Sequence, residues 1–540
     1  MPLSRILKPL ITVLTVLAIL AYLGYLVVYV VYAADLFRWP FDYDQGEGFE
    51  LYDAILYSQG EWPYRDNSAY PFYASNYPPL FHLLIVPLLP VFGPRVIAGR
   101  LVSFTATLVT SGVIFAVVRR RVACPEQGRR GGWFIPLISG LAFLASNYVY
   151  QIGPLCRMHM TMVMFETLAI AFIAEFEHPK HGRRYLILGL LMLLCAGYTK
   201  QMAVFTVVAA LFYVFLRDVK KAIVAGVALA VVAGAIFWLL NVATGGQWWV
   251  NTIQANVNEF DYRQTVFLFG QWFRLHAVFV LLAAGYLVYE LFWDRLSAYS
   301  LWFFFALGLG ALSGKWGAGF GYFTTAVAAA CLTSGLAVGR LRNVECGMWN
   351  AECRLKVASH ALLAILVPLL YLLQASRMLH LPTSGPVFGP LARTLGVDDA
   401  LVVGDCATFQ YHDAMGYTQL GHLLTPDDYA AGEEILSYVR TADGPVFSEE
   451  AMFSLLAGEP VVTNPTQLLN LYNNDLLDTT EIVERINRQE FGVIIFRAQF
   501  YPQPVLEAIG RNYQIVDHVC MNGFYYHILW PHRMLTASEE

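Results

Sequence analysis

Charge is what this sequence has least of. Of 540 residues only 35 are Lys or Arg and 40 are Asp or Glu, 14% in all, against about 25% in a soluble globular chain. With 57% hydrophobic residues and a mean hydropathy of +0.50, it cannot cover its apolar surface in water. Disorder and collagen-like repeats are excluded with it. A net charge of −5 offers nothing to a nucleic acid. Cysteine is sparse: the 8 residues show no zinc or haem spacing. Cys406 and Cys520 are the two in the polar C-terminal region, and the sequence makes little case for a bridge between them. No internal repeat is present.

Long apolar runs are abundant. Residues 10–32 form the first, preceded by Arg5 and Lys8. It is longer than a signal-peptide core, which implies a retained span with a cytoplasmic N-terminus. Residues 79–92 are too few to span and carry Pro87 and Pro90, so they read as an interfacial helix. Further spans are expected at 96–118, 133–151, 161–177, 185–199, 201–216, 222–243, 275–293, 299–313, 321–339 and 357–374. Clusters such as Arg119–Arg121, Lys180/Arg183/Arg184 and Arg217/Lys220/Lys221 recur at alternate ends, whereas the other ends carry single cations such as Lys200 and Lys315. The positive-inside rule puts the clusters in the cytoplasm and the C-terminus outside. The expectation is a polytopic α-helical protein of a plasma or inner membrane, with about 11 transmembrane helices. Residues 1–375 would be the membrane domain and 376–540 an extracytoplasmic α/β domain. Strands are predicted there at 401–403, 445–447, 460–462, 493–496, 513–519 and 524–529, and helices at 427–441, 480–489 and 503–511.

The first outer loop, 33–95, is the richest in chemistry. Asp42, Asp44, Glu47, Glu50 and Asp53 crowd into it beside the membrane. A helix over 47–58 would bring Glu47 and Glu50 to one side. Such carboxylates can cap and solvate a helix; one partly desolvated at the bilayer edge can be a general base. Tyr64, Tyr70, Tyr73, Tyr77, Trp39 and Trp62 suit an interfacial belt or stacking on sugar rings.

The order of these features resembles the GT-C superfamily of membrane glycosyltransferases, closest to the branch of protein mannosyltransferases and aminoarabinose transferases (glycosyltransferase family 39 and relatives). The motifs are the acidic Asp44-Gln45-Gly46-Glu47, then Pro63-Tyr64-Arg65-Asp66, then Tyr77-Pro78-Pro79-Leu80. The turn at Arg157-Met158-His159, the turn at Thr199-Lys200-Gln201, and the segment from Lys315 to Tyr322 follow. The likeness covers roughly 10–340 and implies sugar transfer from a polyprenyl-phosphate-linked donor to a glycan, lipid or protein acceptor, with inversion. It implies a loop carboxylate, Asp44 or Glu47, as base. It implies donor-phosphate or substrate contacts from Arg65, Tyr77, Arg157, His159, Lys200, Lys315 and Tyr322. No cofactor is implied and no metal is required. The family often has Asp-Glu where this chain has Asp44-Gln45, and an acid near position 159 where this chain has His159, so both base candidates stand.

Other polar residues read as scaffold: His82 as a packed interfacial histidine, Arg95 and Arg100 as headgroup anchors, Trp248 and Trp249 as interface anchors. Glu166 lies inside a span, where charge is costly, and within expected reach of the outer cavity. The rival readings are a transporter or flippase and a non-catalytic assembly protein; the first lacks an inverted repeat of broken helices.

Overall fold

The computed structural model describes residues 4–122, 132–347, 354–382, 385–397 and 423–533. The first helix, Ser4–Leu36, carries Tyr22, Tyr25, Tyr29 and Tyr32 on one buried face at helical spacing. A buried hydroxyl needs a partner. Tyr22 and Tyr25 donate to the carbonyls of Tyr371 and Ala375 on the last apolar helix, Arg354–Arg377, and Tyr32 donates to Gln151. Between these two run Ile97–Val122, Phe134–Leu144, His159–Ile173, Gly182–Thr199, Val204–Arg217, Val219–Ala243, Tyr262–Trp293, Ala298–Ala311 and Thr324–Gly347. Each expected span therefore contains a helix. Among the described residues, five segments are long and apolar enough to cross a membrane by themselves. The shorter Phe134–Leu144 is buried on nearly every side within the bundle. The chain is a polytopic α-helical membrane protein with a small C-terminal sheet.

Within the bundle, three expectations need correction. The run at 275–293 begins at Tyr262: Gln264, Gln271 and Arg274 lower the hydropathy without breaking the helix, which kinks at His276 (φ −116°, ψ 16°). The run at 133–151 is interrupted, because the helix ends at Leu144 and restarts as Asn147–Ile152. Ser146, at that break, bonds sideways to His276 (Oγ to Nε2, 2.8 Å). Glu166 does not face the cavity described below; it accepts from Thr206 and Thr325 at 2.7 and 2.6 Å and ties three helices together. The stretch 79–92 is helical, as Leu80–Ile85, a 3₁₀ turn Val86–Leu88 and Leu89–Phe92, broken near its prolines.

The C-terminal sheet has strands β1 (Val446–Ser448), β2 (Val493–Phe496), β3 (Tyr513–Met521) and β4 (Phe524–Pro531) in the order β1-β2-β4-β3. β1 and β2 are parallel and the other pairs antiparallel. Asn522 and Gly523, both at positive φ, turn β3 into β4. Thr480–Asn487 and Gln503–Asn512 cover an apolar cluster including Phe447, Ile494, Val505 and Leu529. Pro426–Thr441 starts with a capping box between Thr425 and Asp428. The predicted strand at 460–462 is not one: it leads to a lone bridge from Thr463 to Phe72 of the first loop. The short helices Ala451–Ala457 and Pro465–Asn473 were not visible in the periodicity. The strand expected at 401–403, and Cys406, lie outside the described residues. Cys520 is in a disulfide, and Cys156, Cys195 and Cys331 are free thiols.

Several bonds fix this domain to the first loop. Asp42 accepts from the backbone of Gly48 (2.5 Å) and of Met452 (3.1 Å). Asn522 donates to the Tyr43 carbonyl (2.9 Å), and the Leu424 amide to Asp35 (2.8 Å). The two backbones come so close that a Cβ at Gly48 would lie 2.8 Å from the Met452 nitrogen. Phe41 packs on Phe453, with ring centres 5.4 Å apart. These contacts bring residues 464–500 over the acidic motif.

Candidate active site

The chain turns under Trp39 and Phe41 and enters the helix Glu47–Ser58 through Gly46, at φ +100°. Only glycine fits there: a side chain would be strained, and its Cβ would meet the Arg157 guanidinium at 3.0 Å. Arg157 donates to Asp44 Oδ2 from Nε (3.0 Å) and Nη2 (2.6 Å), and also from Nη2 to the Gln45 carbonyl. Its Nη1 is 3.8 Å from Glu50.

Glu47 faces the other way. It is fully buried and receives both Nε (3.0 Å) and Nη2 (2.7 Å) of Arg100, with the amides of Cys156 (2.7 Å) and Tyr43 (2.9 Å). Burial raises its pKa, but the charge and hydrogen bonds of Arg100 outweigh that and hold it below the usual carboxylate value. Arg100 also donates to the carbonyls of Leu36 (2.5 Å), Trp39 (2.7 Å) and Phe41 (3.0 Å). It is therefore no headgroup anchor but a buried brace for the loop's entry.

Glu50 and Asp53, one turn on, meet His82. The His82 Nε2 atom is 2.6 Å from Glu50 Oε2 and 3.4 Å from Asp53 Oδ2, and Tyr73 donates to Asp53 Oδ1 at 2.7 Å. Burial pushes the Asp53 carboxyl up to about 6 against the pull of His82.

Asp44, Glu50 and Asp53 line a cavity of about 400 Å³ that opens beside Arg157 and Tyr77. A second cavity of about 290 Å³ adjoins it, sharing Asn76, Tyr77, Arg157, Trp316, Gly317 and Thr466. Its own walls include His159, Lys200, Lys315 and Tyr322. Lys200 Nζ lies 2.6 Å from His159 Nε2, 5.2 Å from the Tyr77 ring centre and 5.6 Å from that of Tyr322. Burial pushes the Lys200 ammonium down to about 7, and the charges of Arg157 and Lys315 push the same way. Lys315 is lowered by burial as well. The first cavity is thus acidic and the adjoining one cationic, with Arg157 lining both.

The structure brings Asp44, Tyr77, Arg157, His159, Lys200, Lys315 and Tyr322 to these two cavities. It leaves out Glu47, for the reason just given, and Arg65. The Arg65 side chain turns back to Glu61, one helical turn away in sequence, at the protein surface. Asn76, Gln264, Trp316, Asn464, Thr466 and Phe500 also line the first cavity and were missed. Nothing in the sequence connects 464–500 to the first loop; Trp316 was signalled only by its neighbour Lys315.

The fold defined by this bundle and its capping sheet is the GT-C membrane fold. Two solved structures that share it are ArnT from Cupriavidus metallidurans in the apo state (13% identity, TM-score 0.56, covering 94% of this chain and 98% of that one) and the same protein bound to undecaprenyl phosphate (14% identity, TM-score 0.57, 94% and 98%). The oligosaccharyltransferase of Archaeoglobus fulgidus aligns at 12% identity and a TM-score of 0.49 over 93% of this chain and 73% of that one. No family model matches the chain, and no curated protein matches it in sequence.

Proposed function

We propose that this protein is a glycosyltransferase that moves a sugar from a polyprenyl-phosphate-linked donor to an acceptor hydroxyl on the extracytoplasmic face of a plasma or inner membrane. The observation that carries the reading is the polarity of two adjoining cavities that share Tyr77 and Arg157, with Asp44 lining the acidic one and Lys200 and Lys315 the cationic one. Asp44 takes the acceptor hydroxyl proton while that oxygen attacks the anomeric carbon from the face opposite the phosphate. The bond from that carbon to the phosphate oxygen breaks, and its electron pair leaves with the lipid phosphate. Lys200, Lys315 and Arg157 hold the charge that develops there. Arg157 has two tasks: it orients Asp44, and it contributes to the phosphate site. Lys200 is aimed by neutral His159, and Tyr77, Tyr322 and Trp316 wall the space where the sugar ring lies. ArnT in complex with undecaprenyl phosphate has the same fold, which supports a polyprenyl carrier. The clusters Arg119–Arg121 and Lys180/Arg183/Arg184 support the orientation.

The test is transfer from radiolabelled polyprenyl-phosphate sugars to glycan, lipid and protein acceptors in membranes containing the protein. Label should pass to one acceptor class and should not when Asp44 is Asn. Donor that crosses the bilayer with its sugar still attached would favour a flippase instead.

A further inference from the structure

We propose that Glu50, Asp53 and His82 bind a divalent transition-metal cation, with an open coordination position on the acidic half of the cavity. One donor atom from each residue lies within 4.8 Å of the other two, and all three residues are buried. The donors come from two rigid elements. Glu50 and Asp53 sit one turn apart on Glu47–Ser58, and His82 rises from Leu80–Ile85. Glu50 and Asp53 border the cavity while His82 is sealed behind them. Three protein donors with one side left open is the arrangement of a catalytic zinc site, not a structural one. An imidazole beside two carboxylates favours zinc, manganese or iron over magnesium and calcium, which take oxygen donors.

The spacing agrees. A tetrahedral ion with ligands at about 2.0–2.2 Å holds its donors about 3.4 Å apart, and His82 Nε2 stands 3.4 Å from Asp53 Oδ2. The 2.6 Å contact between His82 and Glu50 is a hydrogen-bond distance that opens when an ion replaces the proton. Tyr73 donates to the second Asp53 oxygen, the outer support that metal-ligating carboxylates receive. The site rests on these donors alone and stands whether or not the cavity transfers sugar.

The experiment uses full-length protein purified in detergent without a histidine tag, stripped with chelator, loaded with Zn²⁺ or Mn²⁺ and desalted. Metal content is read by mass spectrometry. Two surface histidine pairs could also hold a soft cation: His518 and His527, with Nδ1 atoms 2.7 Å apart, and the stacked His178 and His181. All measurements therefore use a His178→Gln/His518→Gln background. The expected result is one ion per chain, bound at least about tenfold more weakly in Asp53→Asn and His82→Gln, and equally well in Asp44→Asn. Spin-echo spectra of the Mn²⁺-loaded background protein should show coupling to one imidazole nitrogen, a readout that needs no folded variant. Retention no greater than with Mg²⁺, equal retention in Asp53→Asn, or a Mn²⁺ signal without nitrogen would overturn the site. His82 would then be only a proton carrier bridging two carboxylates.

Discussion

Asp44 and Glu47 lie three residues apart on one loop, and each meets an arginine from a different helix. Glu47 and Arg100 are wholly buried, and the pair is enclosed by backbone amides and carbonyls. Every bond they make is to the protein. Asp44 and Arg157 instead form part of a cavity wall, and Arg157 keeps 16% of its side chain exposed. The same two side-chain types therefore serve as a brace in one place and as a site open to a ligand in the other. Burial and saturation separate the two roles where residue type cannot.

The largest effect should come from breaking the brace. Glu47→Gln or Arg100→Met leaves one buried charge without its partner, which costs about 3–5 kcal/mol. The folded yield and the thermal midpoint of the purified protein should drop sharply. A Glu47→Gln protein as stable as the parent would erase the contrast between the pairs.

A smaller effect, on function and not folding, is expected at the cationic end. Lys200→Met would remove the proposed charged hydrogen bond to the donor phosphate, about 1.5–3 kcal/mol. The donor KM should rise with little change in stability, because the lost ammonium was itself costly to bury. pH sharpens the point through two opposite signs. Lys200 titrates at about 7 in the folded protein against 10.5 ordinarily. Between those values the unfolded chain binds the extra proton, so this group's contribution makes stability rise with pH across that window. Donor affinity, which needs the ammonium, should fall as pH climbs through about 7. Equal pH profiles for the parent and Lys200→Met would remove Lys200 from the phosphate site.

The smallest effect belongs to Asp42, which joins the first loop to the α/β domain. Asp42→Asn keeps the shape but weakens the bonds from Gly48 and Met452, about 1–2 kcal/mol. Hydrogen exchange at Ala451–Ala457 should speed up while the bundle core is unchanged.

The apolar runs made the helices legible, since in lipid a span must be both apolar and helical. The exceptions are instructive. The start of Tyr262–Trp293 hid because its polar residues lower hydropathy without affecting helix geometry. In the site, Asp44, Arg157, Lys200 and Lys315 stood out as charges in a chain short of them. Hydropathy could not separate Asp44 from Glu47, because their difference lies in Arg100, a residue distant in sequence and indistinguishable there from a headgroup anchor. Arg65 looked like its fellow cations but had a carboxylate one turn away at Glu61. Asn464, Thr466 and Phe500 reach the cavity only because the α/β domain folds back over the loop.

The most direct test compares sugar transfer per folded molecule in Asp44→Asn and in the parent, with thermal midpoints recorded on the same preparations. A general base contributes about 10²–10⁴-fold, so transfer by Asp44→Asn should fall by that order while the midpoint stays close to the parent's. Near-normal transfer by Asp44→Asn, or a loss of transfer that only follows a loss of folded protein, would contradict the account.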